Sequence, residues 1–232
     1  MAERVYANGD VDTDPIELTE PYQLRIDSGS AEQAGDIFDD GPSYGIEKTG
    51  AGTLSLTGDN TYDGPTLISA GRLVMDFSNG VDIASDVTIA AAGTLAFGAG
   101  LGTAFLGSIA GAGDIDLGAG VFLELDSNSA DLIFSGSIFD DVGGEGYFAL
   151  CGCGGGSLTL TGASEIGGFL EVGNGGRLTI DGGSFTSGGT GLLLDGTLRI
   201  VNGGELHTTT INGTALVIDG IGSIATASGD TF

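Results

Sequence analysis

Gly45–Met75, GIEKTGAGTLSLTGDNTYDGPTLISAGRLVM, sets the rhythm that the rest of the chain follows. Thr53 to Thr57 reads T-L-S-L-T, so Leu54 and Leu56 fall on one side of an extended strand while Thr53, Ser55 and Thr57 fall on the other. That alternation marks a half-buried strand. Gly58-Asp59-Asn60-Thr61-Tyr62-Asp63-Gly64-Pro65 then gathers residues that accept left-handed geometry, pre-set φ or bond nearby backbone, and the chain must bend there. Thr66 to Ser69 is a second extended piece, Ala70-Gly71 a corner, and Arg72 to Met75 a third strand with Leu73 and Met75 two apart. The stretch ends where it began, as one turn of a solenoid does.

Moving outward, the same apolar-x-apolar pair recurs at Leu54/Leu56, Leu73/Met75, Leu95/Phe97, Ile115/Leu117, Leu132/Phe134, Leu158/Leu160, Leu178/Ile180, Leu198/Ile200 and Leu216/Ile218. The steps run from roughly 17 to 26 residues, a period of about 20 of the kind solenoids show. A second set follows at Thr66/Ile68, Val87/Ile89, Leu123/Leu125, Leu170/Val172 and Leu192/Leu194. Two pairs per period mean at least two strands per coil, turned by glycine corners such as Gly182-Gly183 and Gly203-Gly204. The expected fold is all-β, a parallel β-helix of about 20 residues per coil with strands stacked about 4.8 Å apart. The pairs are read as one interior line revisited once per coil.

Residues 1–44 form a more acidic lead-in with Pro15, Pro21 and Pro42 and strand-like pieces at Ile16 to Leu18 and Tyr22 to Ile26, expected to cap the rod or make a first irregular rung. Residues 45–232 form the β-helix proper, with the clearest repeat at 45–75. The long step from Leu132 to Leu158 predicts a protruding loop near 135–157, and 158–180 reads as a degenerate copy of the repeat.

Composition narrows the function classes. The 46 glycines stand against 4 prolines in a chain that is 41% hydrophobic, so glycine here serves turns between many short strands rather than a disordered linker. A net charge of -26 repels phosphate backbones and anionic membrane surfaces, which argues against nucleic acid as a partner and against direct membrane insertion. No apolar window approaches a membrane span, and Met1-Ala2-Glu3-Arg4 does not open a secretory signal. Repeat-type calcium binding needs tandem G-G-x-G-x-D, and Ala110-Gly111-Ala112-Gly113-Asp114-Ile115 has Ile115 where the aspartate belongs. Cys151 and Cys153 with a lone His207 are too few ligands for zinc; a closely spaced pair suits a small local ring in an oxidising compartment. No metal, cofactor or catalytic residue is assigned.

The order K-x-G-x-G-T-L-x-L-x-G-x-N-T-Y-x-G-x-T-x-I-x-A-G-x-L, from Lys48 through Leu73, resembles the autotransporter-associated β-strand repeat of bacterial type V secreted proteins. The resemblance implies a right-handed parallel β-helix, export through the outer membrane and display on the cell surface as an adhesin or structural stalk. It also implies repeats that aid secretion and folding, and a C-terminal translocator barrel elsewhere in the parent protein. The partners expected from it are a host-cell or matrix surface, or a second cell through self-association. A cysteine pair closing only a tiny loop would also suit passage through a narrow export pore.

The competing class is an enzyme, because parallel β-helices include polysaccharide lyases and hydrolases that place carboxylates in a groove. Candidate carboxylates are Asp114 and Asp116, two apart on one strand face, Asp39-Asp40, Asp140-Asp141, and Glu205 beside His207. Such chemistry on acidic sugars also requires basic residues; Arg177 and Arg199 lie about one coil apart and are expected to stack, but no second basic pair joins them. Each carboxylate is read as part of a solvated outer face. A phage or pilus fibre solenoid is the third reading.

Overall fold

Leu54 and Leu56 both point inward and are fully buried, as the alternation of Thr53–Leu56 demands. In the computed structural model the described residues are 1–76, 81–98, 101–126, 131–140, 144–151, 156–189, 191–213 and 216–227, with the backbone alone at 81–85. Among them there is no helix, and every strand pairing is parallel. About ten coils stack into a β-solenoid. Register partners lie between 18 residues apart, as in Leu198↔Leu216, and 26 apart, as in Phe134↔Leu160.

Most coils have three strand-bearing sides rather than the minimum of two. The first side carries Ala2–Tyr6, Tyr22–Ile26, Ile46–Thr49 and Thr66–Ile68, and later Asp131–Phe134, Ser157–Leu160, Arg177–Asp181, Thr197–Val201 and Leu216–Ile218. The second side is an 11-stranded sheet that includes Thr53–Leu56, Gly71–Met75, Gly93–Phe97, Asp114–Asp116, Ser184–Ser187 and Glu205–Thr208. The third side carries Phe122–Asp126, Tyr147–Cys151, Leu170–Val172, Leu192–Leu194 and Ile211–Gly213. Val81–Ile89 and Thr103–Gly111 are nine residues long and run across the first and third sides, so these two sides form one sheet among the described residues.

This geometry corrects the single interior line. Leu54, Leu73, Leu95 and Ile115 form a column on the second side, whereas Leu158, Leu178, Leu198 and Leu216 form a column on the first. The short step from Ile115 to Leu132 is therefore not a coil but a crossing between sides. Both columns are apolar because both face the same core; inward groups such as Leu73, Leu95, Leu158 and Leu198 are fully buried. Each such side chain contributes about 1.5–3 kcal/mol of burial, and stacking makes that burial continuous.

Residues 1–44 supply six strands, and Ala2–Tyr6, Tyr22–Ile26 and Ile46–Thr49 are successive neighbours on the first side. Within 135–157, Ile138–Phe139 and Tyr147–Cys151 belong to the second and third sides. Asp140 Oδ2 fastens that coil by accepting the amides of Gly146 at 2.7 Å and Gly167 at 2.8 Å. Residues 141–143 and 152–155, on which part of the expected loop falls, lie outside the described residues.

Corners depend on close backbone approach. An added Cβ would lie 1.7 Å from the Gly113 carbonyl oxygen at Gly136, 2.1 Å from that of Gly136 at Gly162, and 2.3 Å from that of Gly162 at Gly183. These four glycines stack as a column where only hydrogen fits, and they account physically for part of the glycine excess.

Candidate functional site

The motif from Lys48 to Leu73 places four of its polar residues, Lys48, Asn60, Tyr62 and Thr66, inside the rod. Lys48 occupies the core column between Leu24 and Ile68, fully buried, and its Nζ donates to the carbonyls of Thr49 at 3.0 Å, Gly50 at 2.8 Å and Ala70 at 3.0 Å. Burial pushes its ammonium down to a pKa of about 8. Asn60 stands where 58–65 contains no strand: its Oδ1 accepts the Ile37 amide at 2.8 Å and its Nδ2 donates to the Gly58 carbonyl at 3.0 Å. The Tyr62 hydroxyl shares a 2.8 Å hydrogen bond with Thr66 Oγ1, and burial raises its pKa far above the usual phenol value. These residues clamp corners and join coils; none is presented to a ligand.

The candidate carboxylates are engaged in structure as well. Asp114 Oδ1 accepts the Ser137 amide at 3.0 Å. Asp116, buried, holds Arg72 through Oδ2 and the Gly118 amide through Oδ1 at 3.0 Å. Asp39 Oδ2 accepts the Tyr44 amide at 3.2 Å, Asp40 is exposed, and Asp141 lies outside the described residues. Glu205 and His207 are brought together at 3.3 Å, with His207 Nδ1 2.7 Å from Thr226 Oγ1, on an exposed surface. The expected Arg177–Arg199 stack does not form. Arg177 is in register with Thr197 and Arg199 with Thr179, two positions along the strand, and Arg199 pairs instead with Asp219 at 3.1 Å.

Cys151 ends its strand and is disulfide-bonded, while Cys153, the chain's other cysteine, lies outside the described residues. Among the described residues no three His, Cys, Asp or Glu side chains gather to hold a metal ion, and no helix is long and apolar enough to cross a membrane.

The family described as passenger-associated-transport-repeat matches residues 46–75, the coil in which Lys48, Asn60 and Tyr62 do their clamping. Over 90% of its length the chain is 31% identical to the adhesin BmaC autotransporter of Brucella suis, of which it spans 6%. The chain is autotransporter passenger sequence. Two shorter stretches of this passenger resemble extracellular serine proteases of Serratia marcescens, at 51% identity over 22% of the chain and 38% over 35%. Those stretches cover 4% and 7% of the proteases. No solved structure gives a significant match to the passenger. Passenger sequence of this kind is secreted or held at the cell surface.

Two features of the passenger were not anticipated from its sequence. Lys48 carries no sign of burial in its own residue type; the signal that could have found it is its place in register with Leu24 and Ile68. The second is a cluster of aromatic rings on the outer surface of the third side. Phe122, Tyr147 and Phe169 sit in turn-rich sequence, and only the coil register brings them together.

Proposed function

We propose that this passenger is a non-enzymatic, surface-displayed stalk with an adhesive outer surface, anchored to the outer membrane through a translocator barrel of its parent protein. Its partners on this reading are a host-cell or matrix surface, or a neighbouring cell. The observation that carries the proposal is how the polar groups are spent. Asp114, Asp116 and Asp140 hold backbone amides or Arg72, and the interior polar groups of the matched repeat hold corners, so little is left poised for proton transfer. Similarity to an adhesin autotransporter along 90% of the chain supports the same reading more broadly than the short protease matches support an enzyme. A stack of parallel strands paired from coil to coil also suits a spacer that must resist proteolysis, because strand backbone held in such ladders is poorly open to a protease.

The test is adhesion measured beside turnover. Beads coated with the chain are expected to bind cultured cells or extracellular matrix above beads carrying a charge-matched inert protein. Polysaccharides and casein incubated with the chain are expected to remain intact. Hydrolysis that disappears in an Asp114→Asn/Asp116→Asn variant that still melts cooperatively would overturn the non-enzymatic reading.

A further inference from the structure

Outside the matched repeat, the third side carries an apolar outer surface in an otherwise strongly acidic chain. The register Phe122↔Tyr147, continued by Phe148↔Leu170, sets Phe122, Tyr147 and Phe169 on three successive coils. Their ring centroids form a triangle of 6.4, 6.0 and 4.7 Å. All three rings are half-buried, and Tyr147 lies over Gly168, where a Cβ would come within 2.5 Å of the ring. Two residues further along the strands runs the column Phe105, Glu124, Ala149, Glu171 and Leu193. Phe105 and Leu193, at its ends, are 42% and 40% exposed. The face therefore spans five coils, roughly 19 Å at about 4.8 Å per coil. Side chains of this size grouped on one surface form a patch of the kind that marks interaction sites, rather than scattered exposure.

Charge selects the occupant. Glu124 and Glu171 flank the small Ala149 from the coils above and below, and neither has a cationic partner among the described residues. Partial burial, then the Glu171 and Asp126 charges, raise the pKa of Glu124, so the carboxylates crowd one another without relief. Five of the chain's six lysines and arginines are committed elsewhere: the sole lysine is Lys48, buried in the core, and Arg4, Arg25, Arg72 and Arg199 pair with aspartates on other surfaces; the sixth, Arg177, is exposed in register with Ser157 and Thr197, away from these glutamates.

We propose that this face, Phe122, Tyr147 and Phe169 with Glu124 and Glu171, docks a lysine- or arginine-rich segment of a partner protein. The stems of the basic side chains lie over the aromatic rings, and their head groups reach the two glutamates on either side of Ala149. Aromatic surface combined with carboxylate is the chemistry that favours such side chains, through cation–π attraction, apolar contact with the stems and ion pairing. The net charge of -26 steers a basic partner to the rod from a distance. An acidic polysaccharide meets repulsion here. A second copy of the chain would bring the same two carboxylates against themselves. The rings tilt 36° to 59° from one another and offer no common plane for a sugar chain. The proposal rests on the adhesive reading above and specifies one surface and its partner's chemistry.

Its test must separate a local site from a general attraction to polyanions. An alternating Lys-Gly dodecapeptide is titrated into the full chain by calorimetry at physiological salt, with an alternating Glu-Gly peptide and a neutral oligosaccharide as comparison probes. Glu124→Gln/Glu171→Gln is expected to weaken Lys-Gly binding at least tenfold. The charge-matched pair Glu17→Gln/Asp63→Asn, exposed on other coils, should change it less than twofold. Phe122→Ser/Phe169→Ser, which leaves the charge untouched, should also weaken it about tenfold. Equal losses in the two charge pairs, undiminished binding without the rings, or preference for the oligosaccharide would each overturn the proposal. If cell or matrix adhesion of coated beads survives unchanged in the Glu124/Glu171 and Phe122/Phe169 variants, the adhesive reading stands and this face is not its site.

Discussion

Lys48 Nζ donates to the carbonyl oxygen of Ala70 at 3.0 Å, tying a corner of one coil to the corner of the next from inside the core. Because Lys48 is the chain's sole lysine, its burial can be read by chemistry. An amine-reactive ester applied to the native chain is expected to modify the amine of Met1, an exposed residue beside Glu20, and to leave Lys48 untouched. In urea both amines should react. Lys48→Met should lower stability by about 1–3 kcal/mol, because the Gly50 and Ala70 carbonyls lose a charged donor that methionine cannot replace. Rapid labelling of Lys48 in the folded chain would show that the clamp is open.

The same lysine makes stability depend on alkaline pH. Its pKa is lowered by burial to about 8, against about 10.4 for an unfolded lysine. Between these values the unfolded chain holds more protons than the folded one, so stability rises with pH from about 8 upward. Tyr6 and Tyr62, whose burial raises their pKa, act in the opposite sense once unfolded tyrosines ionise near pH 10. The rise should therefore be sought between about pH 8 and 9.5, as a shift of the urea midpoint relative to Lys48→Met measured in parallel. Coincident pH profiles for the two proteins would refute the assignment.

Much of this architecture was legible because burial imposes a period of two along strands and the coil imposes a period of about 20 between them. Those two periods locate Leu54, Leu73, Leu158 and Leu198 in the core. They do not say which side of the coil a pair belongs to, since every inward pair looks alike in sequence; hence Ile115/Leu117 and Leu132/Phe134 read as one column when they lie on different sides. The third side was read only in part: Leu123/Leu125, Leu170/Val172 and Leu192/Leu194 lie on it, but Thr66/Ile68 and Val87/Ile89 of the same set lie on the first side, and the third side is not continuous. In the third coil it has no strand, and the Asn60 amide stands in for backbone. The Arg177–Arg199 stack failed on register: a separation of roughly one coil does not align two residues unless it equals the local coil length, which is 20 residues at Arg177↔Thr197. The Phe122–Tyr147–Phe169 cluster depends on the uneven coil lengths through 122–170, which no average period supplies.

Glycine at the corners should divide sharply by position. Gly136 faces the Gly113 carbonyl oxygen with room for hydrogen alone, since a Cβ would stand 1.7 Å away, whereas a Cβ at Gly41 would meet nothing within 4 Å. Gly136→Ala must push two coils apart and is expected to cost more than about 3 kcal/mol or to prevent cooperative folding. Gly41→Ala should change stability by no more than about 0.5 kcal/mol. Urea unfolding of the two variants decides it, and similar midpoints would mean that the corner relaxes freely.

Asn60 should behave as a piece of backbone. Its Oδ1 accepts the Ile37 amide at 2.8 Å while the Ile37 carbonyl accepts the Thr61 amide at 2.9 Å, so side chain and main chain together continue the ladder where the strand lapses. Asn60→Ala leaves the Ile37 amide buried without its acceptor and should destabilise the chain by about 1–3 kcal/mol. Asn60→Asp preserves an acceptor for Ile37 but loses the donor to the Gly58 carbonyl and buries a charge, so it should be more damaging at pH 7 than at pH 4. The local readout is hydrogen exchange at the Ile37 amide, which should quicken in Asn60→Ala well beyond the exchange of amides in the core strands of distant coils. Unchanged protection at Ile37 would mean that another group supplies the acceptor, and that the side-chain rung carries no ladder.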